Sequence, residues 1–283
     1  MIDLYYPIYS SLTTQHQLIG LIIRLIGAMA LSNFNLYSQT VHIWQTNLTR
    51  SPQHLEFYQS ILADDELKRA RRFKFERDKQ AFVIARGTLR MILSHYLNLS
   101  PKQIKFKYSS KGKPSLDQDP SPLQFNLSHA YGKAIYAIAL EENIGIDIEY
   151  IREIEVISLA KRFFCNSEYQ WLNSLSSVEQ YSAFFQLWTC KEAYLKATGE
   201  GLVGLQDIEI FTPLDSHPKI LKISQNSELA KHWTLQTIET AENYVATLAI
   251  KGINYQFQYW QWTEAEEIKY NQLKIDDNLA NQC

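Results

Sequence analysis

The chain has 283 residues, 46% of them hydrophobic and 20% charged, with 28 basic and 30 acidic side chains and a formal net charge of -2. The length suffices for one large core or two modest ones, and the charge balance leaves no basic excess for a nucleic-acid or membrane-surface ligand. Three well-separated cysteines, Cys165, Cys190 and Cys283, argue against a disulfide framework or a cysteine zinc site and suit a reducing cytoplasm.

Residues 1–38 stand apart. The run 18–31 is apolar except for Arg24, too short to span a bilayer, and no basic secretory start precedes it. The segment reads as an extension outside the fold. From Val41 an alternating strand places Val41, Ile43 and Gln45 on one side and His42 and Trp44 on the other. Residues 64–97 read as one helix rich in Arg and Lys, with Phe82, Ala85, Leu89, Leu93 and Tyr96 at helical spacing along its apolar face. A short strand is predicted at 105–108, a turn at Lys111-Gly112-Lys113-Pro114, and a loop with two prolines at 117–122.

Paired strands are predicted at 123–127 and 134–140, followed by a strand at 144–150 and helices at 158–164 and 167–175. A long helix over 178–198 turns Phe184, Phe185, Trp188 and Leu195 inward and carries Cys190 as a small buried hydrophobe. Further strands are predicted at 207–211, 232–238, 244–250 and 256–262, and a polar tail at 265–283. Arg72-Phe73 followed by Ala81-Phe82 is echoed by Arg162-Phe163 followed by Ala183-Phe184. This faint repeat divides the folded chain into halves at 39–142 and 143–264.

Two segments carry the chemistry. In Gly145-Ile146-Asp147-Ile148-Glu149 the strand period of two sends both carboxylates to one side. In Trp188-Thr189-Cys190-Lys191-Glu192-Ala193-Tyr194-Leu195-Lys196 the helical period stacks Trp188, Glu192 and Lys196 on one face. Three carboxylates can hold a hard cation, and Lys191 and Lys196 add positive charge for the anion it neutralises. The plainer readings are a half-exposed strand and a surface Glu–Lys pair worth about 0.3–0.5 kcal/mol. Likewise, Ser128-His129 could form a turn with a satisfied histidine, and Lys111-Gly112-Lys113-Pro114 a solvated turn.

The joint pattern resembles the 4'-phosphopantetheinyl transferases of the long, surfactin-synthetase-activating type. The unbroken G-I-D-I-E and W-x-x-K-E-A-x-x-K segments carry the resemblance, with Arg71-Arg72-Phe73, Lys111-Gly112-Lys113-Pro114, Phe125-Asn126-Leu127-Ser128-His129 and Arg162-Phe163-Phe164 followed by Glu168, all in order. It runs from about Val41 to Trp262 and implies two similar α+β halves about a pseudo-twofold axis, with the active site between them. It implies Mg2+ held by Asp147, Glu149 and Glu192, and coenzyme A as substrate. Coenzyme A would be contacted by Lys111, Gly112, Lys113, Pro114, Ser128, His129, Lys191 and Lys196, with Arg69, Arg72 or Arg86 on its phosphates. Glu66 stands where some members carry lysine.

The implied reaction moves the phosphopantetheine arm onto a serine of an apo acyl, peptidyl or polyketide carrier protein. Glu192 is the favoured base, Glu168 a second acidic candidate, and Lys191 and Lys196 the electrostatic catalysts. A cytoplasmic, monomeric enzyme without nucleic-acid or membrane partners is expected. The alternatives are a magnesium-dependent phosphatase or nuclease, which would not need the signatures around Lys113 and His129, and a non-catalytic coenzyme A or carrier binder.

Overall fold

The computed structural model describes residues 35–117, 121–212 and 217–263. The apolar run 18–31, Cys283 and the polar tail from residue 265 therefore lie outside the described residues.

Strand β1 (Thr40–Asn47) is buried on both faces, Val41 and Ile43 on one and His42 and Trp44 on the other. The sheet is covered on both sides, so the strand has no solvent face, and its buried polar residues find partners, His42 at the Tyr96 hydroxyl and Thr46 at the Trp262 carbonyl. Helix α1 (Pro52–Ile61) starts with proline at its first position, where the missing N–H costs nothing. The single helix expected over 64–97 is instead two, α2 (Asp64–Ala70) and α3 (Glu76–Leu97). The break folds α2 back along α3, so that buried Glu66 meets buried Arg90 at 2.7 Å.

Two hairpins follow. Strands β2 (Phe106–Tyr108) and β3 (Pro114–Leu116) pair antiparallel, as do β4 (Leu123–Ala130) and β5 (Lys133–Leu140). The second closes through Tyr131 and Gly132, both at positive φ, the backbone that a two-residue turn between twisted strands requires. Strand β6 (Ile144–Tyr150) leads to α4 (Val156–Phe163), α5 (Asn166–Ser174) and α6 (Ser177–Thr198). Helix α6 begins at a reciprocal cap between Ser176 and Glu179 and ends at Gly199, whose φ of 77° supplies the left-handed stop. The chain finishes with β7 (Ile208–Phe211), β8 (Lys219–Ile223), the short α7 (Ser227–Ala230), β9 (Trp233–Ile238), β10 (Tyr244–Lys251) and β11 (Gln256–Gln261).

The mixed α+β architecture has four layers. Sheets β11-β1-β5-β4 and β6-β10-β9 face each other across a core that includes Val41, Ile43, Ile135, Ile146, Ile148 and Leu248. Helices α1–α3 cover the outer face of the first sheet and α4–α6 that of the second. Strand β11, assigned by the sequence division to the second half, lies in the first sheet, parallel to β1 with Thr40 opposite Gln256. Just beyond it, Trp262 is buried and donates its indole N–H to Tyr58.

Candidate active site

The site is set by how closely β6 lies on α6. A Cβ on Gly145 would stand 2.0 Å from Ala193 O and 2.4 Å from Ala197 N, so only glycine lets the strand press onto the helix there. That approach brings Asp147 to the helix face carrying Lys196. The Lys196 ammonium donates to Asp147 Oδ1 at 2.6 Å and to Ser128 Oγ at 2.9 Å, and the Ser128 hydroxyl donates to the same Asp147 oxygen at 2.9 Å. Ser128 and His129 are strand residues of β4 opposite Ile135 and Ala134, so the alternative of a turn does not hold. Asn126, two residues earlier, accepts from the Ile146 amide at 3.0 Å and ties β4 to β6. The sequence held one signal for that role, an asparagine inside an apolar strand, because a buried amide needs partners.

Between the two halves lies a cavity of about 530 Å³. Arg69 and Arg86 line one side, the Lys111–Pro114 turn another, and Ser128, His129, Glu192 and Lys196 the third. Arg72 lies in an adjoining cavity that shares Arg69 and Gly112. Arg69, Arg86, Lys111 and Lys196 thus bring positive charge to a cavity otherwise lined by apolar and neutral groups and Glu192.

Arg86 is the buried member of the arginine set. Glu66 lies 3.4 Å from its Nε without hydrogen-bond alignment, and the buried Nη1 has no partner. Phe82 and Phe106 flank the guanidinium, which burial holds below its usual pKa. Glu66, which the sequence left as an ambiguous contact, is turned inward: it caps the Ala63 amide at 2.9 Å and anchors Arg90.

The carboxylates act on one another. Burial first, then the charge of Asp147, raises Glu149 above the usual glutamate value, against the pull of Arg152 at 3.2 Å. Burial, Asp147 and Glu149 together push Glu192 up to about 7, with Lys196 opposing. The buried Asp147 Oδ2 has no hydrogen-bond partner. Among the described residues no three His, Cys, Asp or Glu side chains are gathered into a closed ligand cluster, and Lys196 occupies Asp147 Oδ1. His129 keeps an exposed edge. Burial of its ring, then Lys196, Arg86 and Arg69, lowers its pKa, so at neutral pH it offers an uncharged N–H.

Three of the expected residues have other partners. Lys191 is completely buried: its ammonium lies 2.9 Å from Glu168 and donates to the carbonyls of Leu205 and Ile208. Glu168 accepts from the amides of Cys165 and Ile210, both at 2.8 Å. Neither lines the cavity, so the catalytic and substrate-contact roles expected of Lys191 and the acid–base role of Glu168 are not available from these positions. Position on a helix next to Glu192 misled, because successive helix residues point about 100° apart. Lys113 lines the cavity with its stem while its ammonium turns to the Ala197 and Ile144 carbonyls.

Residues 143–249 match the 4'-phosphopantetheinyl transferase superfamily and residues 46–141 match the 4'-phosphopantetheinyl transferase N-terminal family. The 4'-phosphopantetheinyl transferase HetI of Nostoc sp. is 42% identical over 81% of this chain and 95% of that protein. The 4'-phosphopantetheinyl transferase Sfp of Bacillus subtilis is 31% identical over 54% of this chain and 66% of that protein. A solved holo-[acyl-carrier-protein] synthase from Thermotoga maritima aligns with a TM-score of 0.32 and 18% identity, over 39% of this chain and 62% of that one. The chain belongs to the 4'-phosphopantetheinyl transferases. It is an enzyme that transfers phosphopantetheine from coenzyme A to carrier proteins, and the phosphatase, nuclease and passive-binder readings fall away.

Proposed function

We propose that Asp147, Glu149 and Glu192 hold a magnesium ion at the mouth of the cleft, where the coenzyme A diphosphate lies against them. The observation that carries this is the buried, partnerless Asp147 Oδ2 beside two carboxyls whose pKa values are raised by burial and then by its charge. Three neighbouring carboxylates, one with a free oxygen, offer hard donors that suit a small divalent cation, which keeps places for water and phosphate oxygens. When bound, that ion neutralises the diphosphate and the departing phosphate.

The chain's own residues do the rest. Arg69, Arg86, Lys111 and His129 present donors to the phosphates and fix coenzyme A in the cleft, and Arg72 extends the basic wall. Lys196 reaches the cleft from the face of α6 that carries Glu192 and offers positive charge where the diphosphate breaks. The carrier serine Oγ forms a bond to the phosphorus bearing pantetheine as the P–O bond to adenosine 3',5'-bisphosphate breaks. The serine proton passes to Glu192, directly or through a water.

The repeated device of a capping glutamate joined to a buried cation, Glu66 with Arg90 and Glu168 with Lys191, supports two similar halves related by a pseudo-twofold axis, meeting near residue 142. Among the described residues no helix is long and apolar enough to cross a membrane. We read the enzyme as a cytoplasmic monomer acting on acyl, peptidyl or polyketide carriers. The test is intact-mass spectrometry of an apo carrier incubated with coenzyme A and the enzyme, with magnesium or with chelator. One phosphopantetheine group should be gained with magnesium alone. Equal transfer under chelation overturns the metal assignment.

A further inference from the structure

Lys113 projects from a turn that is held rigid by its own backbone. Ser109 N donates to Lys113 O at 3.0 Å, Gly112 N to Ser109 O at 2.9 Å, and Lys113 N to Ser109 Oγ at 3.1 Å. From this base the side chain crosses to the other half of the molecule. Its ammonium donates to Ala197 O at 2.7 Å and reaches Ile144 O at 3.4 Å.

Both acceptors matter. Ala197 is in the last turn of α6, where carbonyls lack intrahelical donors and the aligned peptide dipoles concentrate negative charge. Ile144 opens β6, the strand that carries Asp147. The lysine stem is seated as well: a Cβ on Gly199 would stand 3.8 Å from Lys113 Cδ, and one on Gly201 3.9 Å from Lys111 Cδ. Both glycines take positive φ, so the chain leaving α6 wraps around the turn with no side chain between them. Burial lowers the Lys113 pKa to about 8.

We propose that Lys113 is a positioning residue: its ammonium latches the β2–β3 turn of one half to the C-terminus of α6 and the start of β6 in the other. It thereby fixes the width of the cleft and the placement of Glu192 and Lys196. This rests on the reading of that cleft as the active site. A phosphate contact, the role implied by family resemblance, would leave the ammonium facing the cavity. Here it closes a helix end instead.

The test pairs hydrogen exchange with kinetics on Lys113→Met and Lys113→Arg, both on the full chain. Without coenzyme A or magnesium, Lys113→Met should speed exchange of the amides in the last turn of α6 by about tenfold. It should also lower kcat while leaving KM for coenzyme A within about twofold, since helix placement acts on the reacting geometry. Lys113→Arg, which keeps a cation able to reach carbonyls, should restore both. Unchanged exchange overturns the latch whatever the kinetics, and with a raised KM and intact kcat it makes Lys113 a phosphate contact. Faster exchange with unchanged kcat overturns the positioning role. Because the exchange arm uses no substrate, failure of the latch and failure of the active-site reading are told apart.

Discussion

Lys196 and Asp147 form a 2.6 Å ion pair that joins α6 to β6, and Ser128 of β4 bonds both partners. The pair is half open to the cleft on the lysine side and buried on the aspartate side. An ammonium in that place compensates the carboxylate until substrate phosphate arrives, and then lies where charge accumulates. Lys196→Ala should therefore lower kcat by about a hundredfold, equivalent to roughly 2.7 kcal/mol, with a smaller change in KM. Coenzyme A titrations at saturating apo carrier decide it. A change confined to KM would make Lys196 a binding contact.

The raised pKa of Glu192 has a thermodynamic sign. A carboxyl that titrates near 7 in the fold and about 4.5 unfolded favours the native state most when protonated. That stabilisation is complete below the unfolded value and is lost as pH rises through about 7. The melting temperature of the magnesium-free enzyme should fall between about pH 5 and 8. Added magnesium should raise it more at pH 8 than at pH 5, since protons compete for the same carboxylate. A magnesium shift of equal size at both pH values would remove Glu192 from the ligand set.

Arg86 and Arg90 share Glu66 but have different tasks. Arg90 is fully engaged, donating also to Pro101 O at 2.7 Å and Ile104 O at 2.9 Å, whereas Arg86 has a free Nη1 and lines the cavity. Arg86→Met should raise KM for coenzyme A at least tenfold, a cost of about 1.4 kcal/mol, with little loss of melting temperature. Arg90→Met should do the reverse, destabilising by about 3–5 kcal/mol by removing the hydrogen-bonded partner of buried Glu66 and the donor to the Pro101 and Ile104 carbonyls. Matching losses of stability in the two variants would refute the division.

Lys191 tests whether a charge in the signature helix is catalytic or structural. Lys191→Met alone leaves Glu168 buried beside one lost cation and should cost about 3–5 kcal/mol in urea unfolding. Lys191→Met combined with Glu168→Gln removes both charges and should recover part of that loss together with kcat. A double variant that is stable yet inactive would return Lys191 to the catalytic set.

What the sequence revealed follows from periodicity. Alternation placed Asp147 and Glu149 on one side of β6, and the four-residue spacing placed Glu192 and Lys196 on one face of α6. The buried ion pairs were illegible because charged residues read as surface. Glu66 meets Arg90 only because the chain turns back between α2 and α3, and no periodicity within 64–97 marks that turn. The contact that Lys113 makes was likewise illegible, since the acceptor it finds, Ala197 O, is 84 residues away. Strand β8 escaped the sequence reading for a local reason: Lys-Ile-Leu-Lys-Ile does not follow the strand period of two.

The position of β11 constrains how the enzyme can be made. The last strand described lies against the first, and Trp262 just beyond it packs on Trp44 in the core of the opening helices. A nascent chain therefore carries an unpaired β1 edge until residues 256–262 leave the ribosome, so the sheet and core of the first half close only once that segment has emerged. Residues 39–142 expressed alone should accordingly be prone to self-association through that edge, and adding residues 253–263 as a separate peptide should restore a monomer.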